Sequence, residues 1–147
     1  MEKLKNLEDG YKWAKETVQA LKAGNLASVD MNALVDEIES VYTGLEGQLS
    51  EYVEDLLKGK LGRQYLPADR KENESLVAGA LVQLSILFSA APSIRDALTE
   101  QVIDEAYQWV RQRVERDAGV PLPDRCPYSR DDLLTSIRTL ELDDVEA

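Results

Sequence analysis

Six carboxylates at helical spacing, Asp36, Glu37 and Glu39 followed by Glu51, Glu54 and Asp55, come closest in this chain to a reaction centre or a cation site. Glu37 stands at the edge of an apolar stripe, where it could turn inward. Paired metal sites in helical bundles, however, combine inward glutamates with Glu-x-x-His motifs, and the chain contains no histidine. A calcium loop of the DxDxDG type is also missing. Charge runs on helices are usually solvated faces, and that is the reading adopted for these six. The alternative, a carboxylate-based cation-binding protein or enzyme, requires Glu37, Glu39 or their neighbours to converge in a pocket with strongly perturbed pKa values.

The single cysteine, Cys126, lies between Arg125 and Pro127. A neighbouring cation favours the thiolate, but with no histidine to act as base a nucleophilic role has no partner. A small side chain anchoring a proline-rich segment in an apolar notch fits better, with Tyr128 packing beside it. The lack of histidine also removes the commonest general base and the commonest transition-metal ligand. No residue is therefore assigned as catalytic, cofactor-binding or metal-ligating, and the chain is expected not to be an enzyme.

Tyr11, Trp13, Tyr107 and Trp109 sit at spacings that could line a ligand groove, though aromatics so placed are more often core and helix-crossing contacts. Arg111, Arg113, Arg116, Arg125, Arg130 and Arg138 form the only basic enrichment, better read as pairing with Asp and Glu than as holding phosphate. The formal net charge of −11 over 147 residues repels nucleic-acid backbones and anionic membranes alike, so neither is expected as a partner. One cysteine, no recognisable signal peptide and no apolar run of about 18 residues lead to the expectation of a cytoplasmic protein.

These residues must be positioned by helices. The length suits one domain, 1–147, with a core that needs no staples. From Asp30 to Leu61, apolar residues recur at Met31, Leu34, Ile38, Val41, Leu45, Leu49, Tyr52, Leu56 and Leu57, the spacing of an amphipathic helix. Asp30 caps it, and Gly59 and Gly62 are expected to fray its end. A first helix starts near Leu7 to Asp9 and ends at Gly24, with Tyr11, Ala14, Val18 and Leu21 on one side and Trp13 and Thr17 beside them. A third runs from Ser75 to Ala90, apolar on nearly every face. A fourth is opened by Pro92 or Ser93 and ends at Gly119, with Ile94, Leu98, Val102, Ile103, Ala106, Tyr107, Val110 and Val114 on its stripe. The prolines from Val120 to Tyr128 impose an extended arm. Ser129 starts a short fifth helix, and the final ELDDVEA is expected to be mobile.

The run WAKETVQALKAGNLASVDMNALVDEIES, the pair Leu56 and Leu57, QYLP at 64–67, PSIRDAL at 92–98, EAY at 105–107 and LPDRCPYSRDDLL at 122–134 together resemble bacterial domain-of-unknown-function family 29, common in cyanobacteria. The resemblance implies an all-helical bundle and brings no activity with it. This chain departs from the family in having Gly59, Gly62 and Arg63 where a histidine, a lysine and a tryptophan are frequent, and in lacking the tryptophan and basic residues usual along the third helix.

The resulting expectation is an all-α bundle of four main helices, a Pro-rich arm and a short C-terminal helix. It would act as a protein–protein interaction module, with an acidic antitoxin-like partner of a basic protein as a further alternative. The candidate interaction surface is Leu76, Val77, Leu81, Val82, Ile86 and Phe88 on the third helix, covered by a second copy in a homodimer, by another protein, or by the Pro-rich arm.

Overall fold

The computed structural model describes residues 9–146, the side chains of 140–146 excepted. It is all-α, with no strand among those residues. The helices are α1 (Gly10–Lys22), α2 (Met31–Tyr65), α3 (Arg70–Ala90), α4 (Glu100–Ala118) and α5 (Arg130–Glu146), with 3₁₀ turns at Leu26–Ser28, Pro67–Asp69 and Pro92–Ala97. The chain divides into two compact units, Met1–Gly44 and Leu45–Ala147, and the boundary falls within α2.

Local chemistry sets the helix ends. The Asp9 carboxylate accepts from Lys12 N at 3.1 Å, so α1 begins there, and Leu7 and Glu8 lie outside the described residues. Gly24 takes φ +74, which lets the Asn25 amide reach back to the Ala20 carbonyl and close the helix. Asp30 caps α2 as expected, accepting from Ala33 N at 3.1 Å. Helix α3 takes in the charged residues before Ser75 and starts at Arg70. After Pro92 the chain makes a 3₁₀ turn, and α4 opens only at Thr99, which caps it through Val102 N; Gly119, at φ +70, ends it. At α5, Ser129 Oγ accepts from Asp132 N while Asp132 Oδ2 accepts from Ser129 N, a reciprocal cap. The helix then continues to Glu146, so α5 is longer than expected and the segment expected to be mobile is helical up to that residue.

In the unit Leu45–Ala147 one core joins four helices. It takes Leu49, Val53, Leu56, Leu57 and Leu61 from α2, Val77, Ala80, Leu84, Leu87 and Phe88 from α3, Ile103, Tyr107, Val110 and Val114 from α4, and Leu133 and Ile137 from α5. Ile94, Leu98 and Leu122 fill in from the connections. Glycines 59 and 62 do not fray α2; they let α3 approach it. A Cβ at Gly59 would stand 2.6 Å from Val77 Cγ2 and 2.9 Å from the Asn73 carbonyl oxygen, and one at Gly62 would overlap the Asn73 side chain. Asn73 is buried in that crossing and donates to the Leu66 carbonyl at 3.3 Å. Pro67–Ala90 is long and apolar enough, at a mean hydropathy of 1.3, to cross a membrane by length and composition, contrary to the expectation that the chain holds no such run. Here it forms the 3₁₀ turn and α3, and α5 packs against α3.

The unit Met1–Gly44 holds α1, the turn after it and residues 31–44 of α2. Among its described residues the buried side chains are few: Trp13, Thr17 and Val29. Here the structure decides between the two sides of the helix. On α1 the pair Trp13 and Thr17 is buried, while Tyr11, Val18 and Leu21 are exposed.

Candidate functional site

The surface expected on α3 is brought together only in part. Val77 and Phe88 are core residues, and the Phe88 ring also carries the Arg95 guanidinium at 4.7 Å. Leu76 and Leu81 are half-buried, with Leu81 packed on the core. Only Val82 and Ile86 are exposed. The reason is periodic: Val77, Ala80, Leu84, Leu87 and Phe88 share one stripe, and Val82 and Ile86 fall one turn apart on the other side.

The Pro-rich arm does not cover that side, since Val82 and Ile86 are exposed; its hydrogen bonds go to α4, and its Tyr128 ring lies under the Lys60 ammonium of α2 at 5.3 Å. The fully buried Tyr107 donates its hydroxyl to the Pro123 carbonyl. Gln108 Nε2 donates to the Asp124 carbonyl at 2.8 Å, and Arg111 reaches the Asp124 carboxylate at 3.0 Å. Glu115 receives Arg111 Nε at 2.9 Å and the Leu122 amide at 2.9 Å. The Arg111 guanidinium and the Leu122 amide hold the Glu115 carboxyl below its ordinary range, and burial pushes the Tyr107 phenol up to about 12. At the far end of the arm Arg130 donates to the Leu98 carbonyl at 2.6 Å and the Arg95 carbonyl at 3.0 Å.

Between α4, the arm and the start of α5 lies a cleft of about 540 Å³, lined by Glu100, Asp104, Cys126, Tyr128 and Asp132 among others. Two of its carboxylates are already engaged: Glu100 accepts from Arg130 N, and Asp132 caps α5. The Cys126 thiol is half-buried against the core, and its desolvation pushes its pKa up. That packing fits the expected anchoring of the arm better than it fits a reactive thiolate.

The six carboxylates of α2 do not converge either. Asp36, Glu37, Glu39 and Glu51 are exposed. Glu54 and Asp55 are half-buried, contrary to the expectation of a fully solvated face, and desolvation first and neighbouring carboxylates second raise both. Among the described residues no three Cys, Asp or Glu side chains form a group that could hold a metal ion. Of the aromatics, Tyr107 and Trp13 are buried; Tyr11 and Trp109 are exposed, with Lys15 over the first ring at 5.6 Å and Arg113 over the second at 4.8 Å.

The feature that sequence reasoning missed is in the unit Met1–Gly44. On α2 the apolar stripe Met31, Val35, Ile38, Val41 and Tyr42 is exposed, Val41 to 65%. On α1 Tyr11, exposed to 74%, Ala14, Val18 and Leu21 form a second uncovered stripe, with Lys15, Gln19 and Lys22 bordering a shallow groove of about 410 Å³. Both stripes were legible as apolar periodicity, but periodicity does not say what a face packs against.

The model of the family described as "Domain of unknown function DUF29" matches residues 7–137. The chain belongs to the DUF29 family. The matched span takes in α1 to α4, the arm and the start of α5, so the two uncovered stripes lie inside this DUF29 domain. No curated protein and no solved structure matches the chain.

Proposed function

We propose that this DUF29 protein is a protein–protein interaction module without catalytic activity, and that its docking surface is the apolar face of α1 and the first half of α2. The observation that carries this reading is the exposure of Met31, Val35, Ile38, Val41 and Tyr42 on one helical stripe and of Tyr11, Val18 and Leu21 on another. Apolar stripes left exposed along a helix and bordered by charge are the kind of surface that marks interaction sites in folded proteins. The hydrogen bonds that occupy Glu100 and Asp132 and the raised pKa of Cys126 support a structural role for the cleft beside the arm.

The test is the double variant Ile38→Glu with Val41→Glu in the full chain. Because both side chains are solvent-exposed, stability should change by no more than about 0.5 kcal/mol per site, while capture of any bound protein, including a differently tagged copy of this chain, should fall at least tenfold. A variant that captures as well as the parent overturns the reading, and so does one that unfolds.

A further inference from the structure

The two uncovered stripes carry rims of opposite charge. Helix α1 has Lys12, Lys15 and Lys22 against Glu16, a net charge of +2, while residues 31–44 of α2 have Asp36, Glu37 and Glu39 and no cation, a net charge of −3. The charges sit where they can matter. At about 100° per residue, Lys15 and Lys22 flank the edge of the α1 stripe that Tyr11 and Val18 form, away from buried Trp13 and Thr17, and both lysines border the same groove as that stripe. By the same count Glu37 and Glu39 flank the two edges of the stripe Met31, Val35, Ile38, Val41 and Tyr42. The stripes also match in length. Tyr11 to Leu21 spans about 15 Å and Met31 to Tyr42 about 17 Å at the helical rise per residue.

We propose that the occupant of this surface is a second copy of the chain, with α1 of each protomer laid on the first half of α2 of its partner. The proposal rests on the interaction-module reading and names its partner. In a two-fold assembly whatever α1 meets on the partner, the partner's α1 meets in return, so one contact type satisfies both stripes of both copies. The charge pattern selects this pairing over the other two-fold seams. Setting α1 against α1 brings lysine rims together, and setting α2 against α2 brings carboxylates together, each a like-charge contact that costs affinity. Crossing α1 onto α2 sets Lys15 and Lys22 against Glu37 and Glu39 while both apolar stripes leave water.

The experiment is sedimentation of the full chain at micromolar concentrations, with two charge-reversed chains. The unmodified chain should sediment as a dimer, more weakly so as salt is raised. Lys15→Glu with Lys22→Glu should weaken the dimer at least tenfold, as should Glu37→Lys with Glu39→Lys, each variant keeping the parent's helical circular dichroism. Mixing the two variants should restore a dimer, because one of the two crossed contacts then again joins opposite signs on fully matched rims while the other joins them with the signs exchanged. A dimer seamed through α1 alone would survive in the second variant, and that survival overturns the proposal. So does a monomer of the unmodified chain at high micromolar concentration. A monomer whose capture of another protein is still lost in Ile38→Glu with Val41→Glu removes the second copy and leaves the module reading standing. A monomer whose capture is unaffected removes both.

Discussion

At Tyr107 the phenol is fully buried in the core and its hydroxyl fastens the Pro-rich arm through Pro123. Removing only the donor, Tyr107→Phe, should cost about 1 kcal/mol at neutral pH. Burial raises this phenol from its ordinary 10.0 to about 12. A raised value means that the contribution is fully present below the unfolded pKa; as pH climbs above about 10 the unfolded chain ionises while the folded one stays protonated, so stability is lost progressively up to about 12. Urea unfolding from about pH 9 to about pH 12 should therefore show a loss in the parent that is smaller in Tyr107→Phe. Equal losses in the two proteins would place the alkaline transition elsewhere.

Among the helices, α2 presents one substitution with two outcomes. Its glycines at 44, 47, 59 and 62 look alike in sequence, each costing about 1 kcal/mol against alanine in a helix interior. At Gly44 and Gly47 nothing lies within 4 Å of an added Cβ, so Gly44→Ala and Gly47→Ala should each raise stability by about 0.4–1 kcal/mol. At Gly59 the new methyl meets Val77 and the α3 backbone, and at Gly62 it displaces Asn73 from its bond to Leu66. Overpacking costs about 1–3 kcal/mol, which exceeds the propensity gain, so Gly59→Ala should be net destabilising, and more so than Gly62→Ala, where a side chain can yield. Denaturant midpoints of these variants check the sign at each position.

Over the whole molecule, burial is uneven. The unit Leu45–Ala147 has a continuous core drawn from four helices, and Met1–Gly44 buries Trp13, Thr17 and Val29. Thr17 Oγ1 is the one buried side-chain polar atom among the described residues with no hydrogen-bond partner, which gives up part of what its burial contributes. Segments with few buried apolar contacts open at low free-energy cost. Amides of α1 and of residues 31–44 should therefore exchange with solvent well before those around Val53, Leu84 and Val110, although residues 31–44 and Val53 belong to one helix. If a second copy covers the unit, its protection should rise with protein concentration while that of the core helices stays constant.

Much of this was legible in the chain. Helix ends are local events, and Asp30, Ser129 and Gly119 act where their types predict, because a cap needs only its own first or last turn. The core faces of α2 beyond Leu49 and of α4 follow from periodicity, and the quoted motifs pointed to the family that residues 7–137 then matched. What periodicity could not supply is the identity of the opposing surface. Met31, Ile38 and Val41 continue the stripe of Leu49 and Leu56, yet the first three are exposed and the last two buried, since a helix of 35 residues outruns the core that covers its second half. The all-round apolarity of α3 likewise left Val77 and Phe88 indistinguishable from Val82 and Ile86 until α2 and α5 were in place. Burial is a property of pairs of surfaces brought together by the tertiary fold, and a single sequence states only one member of each pair.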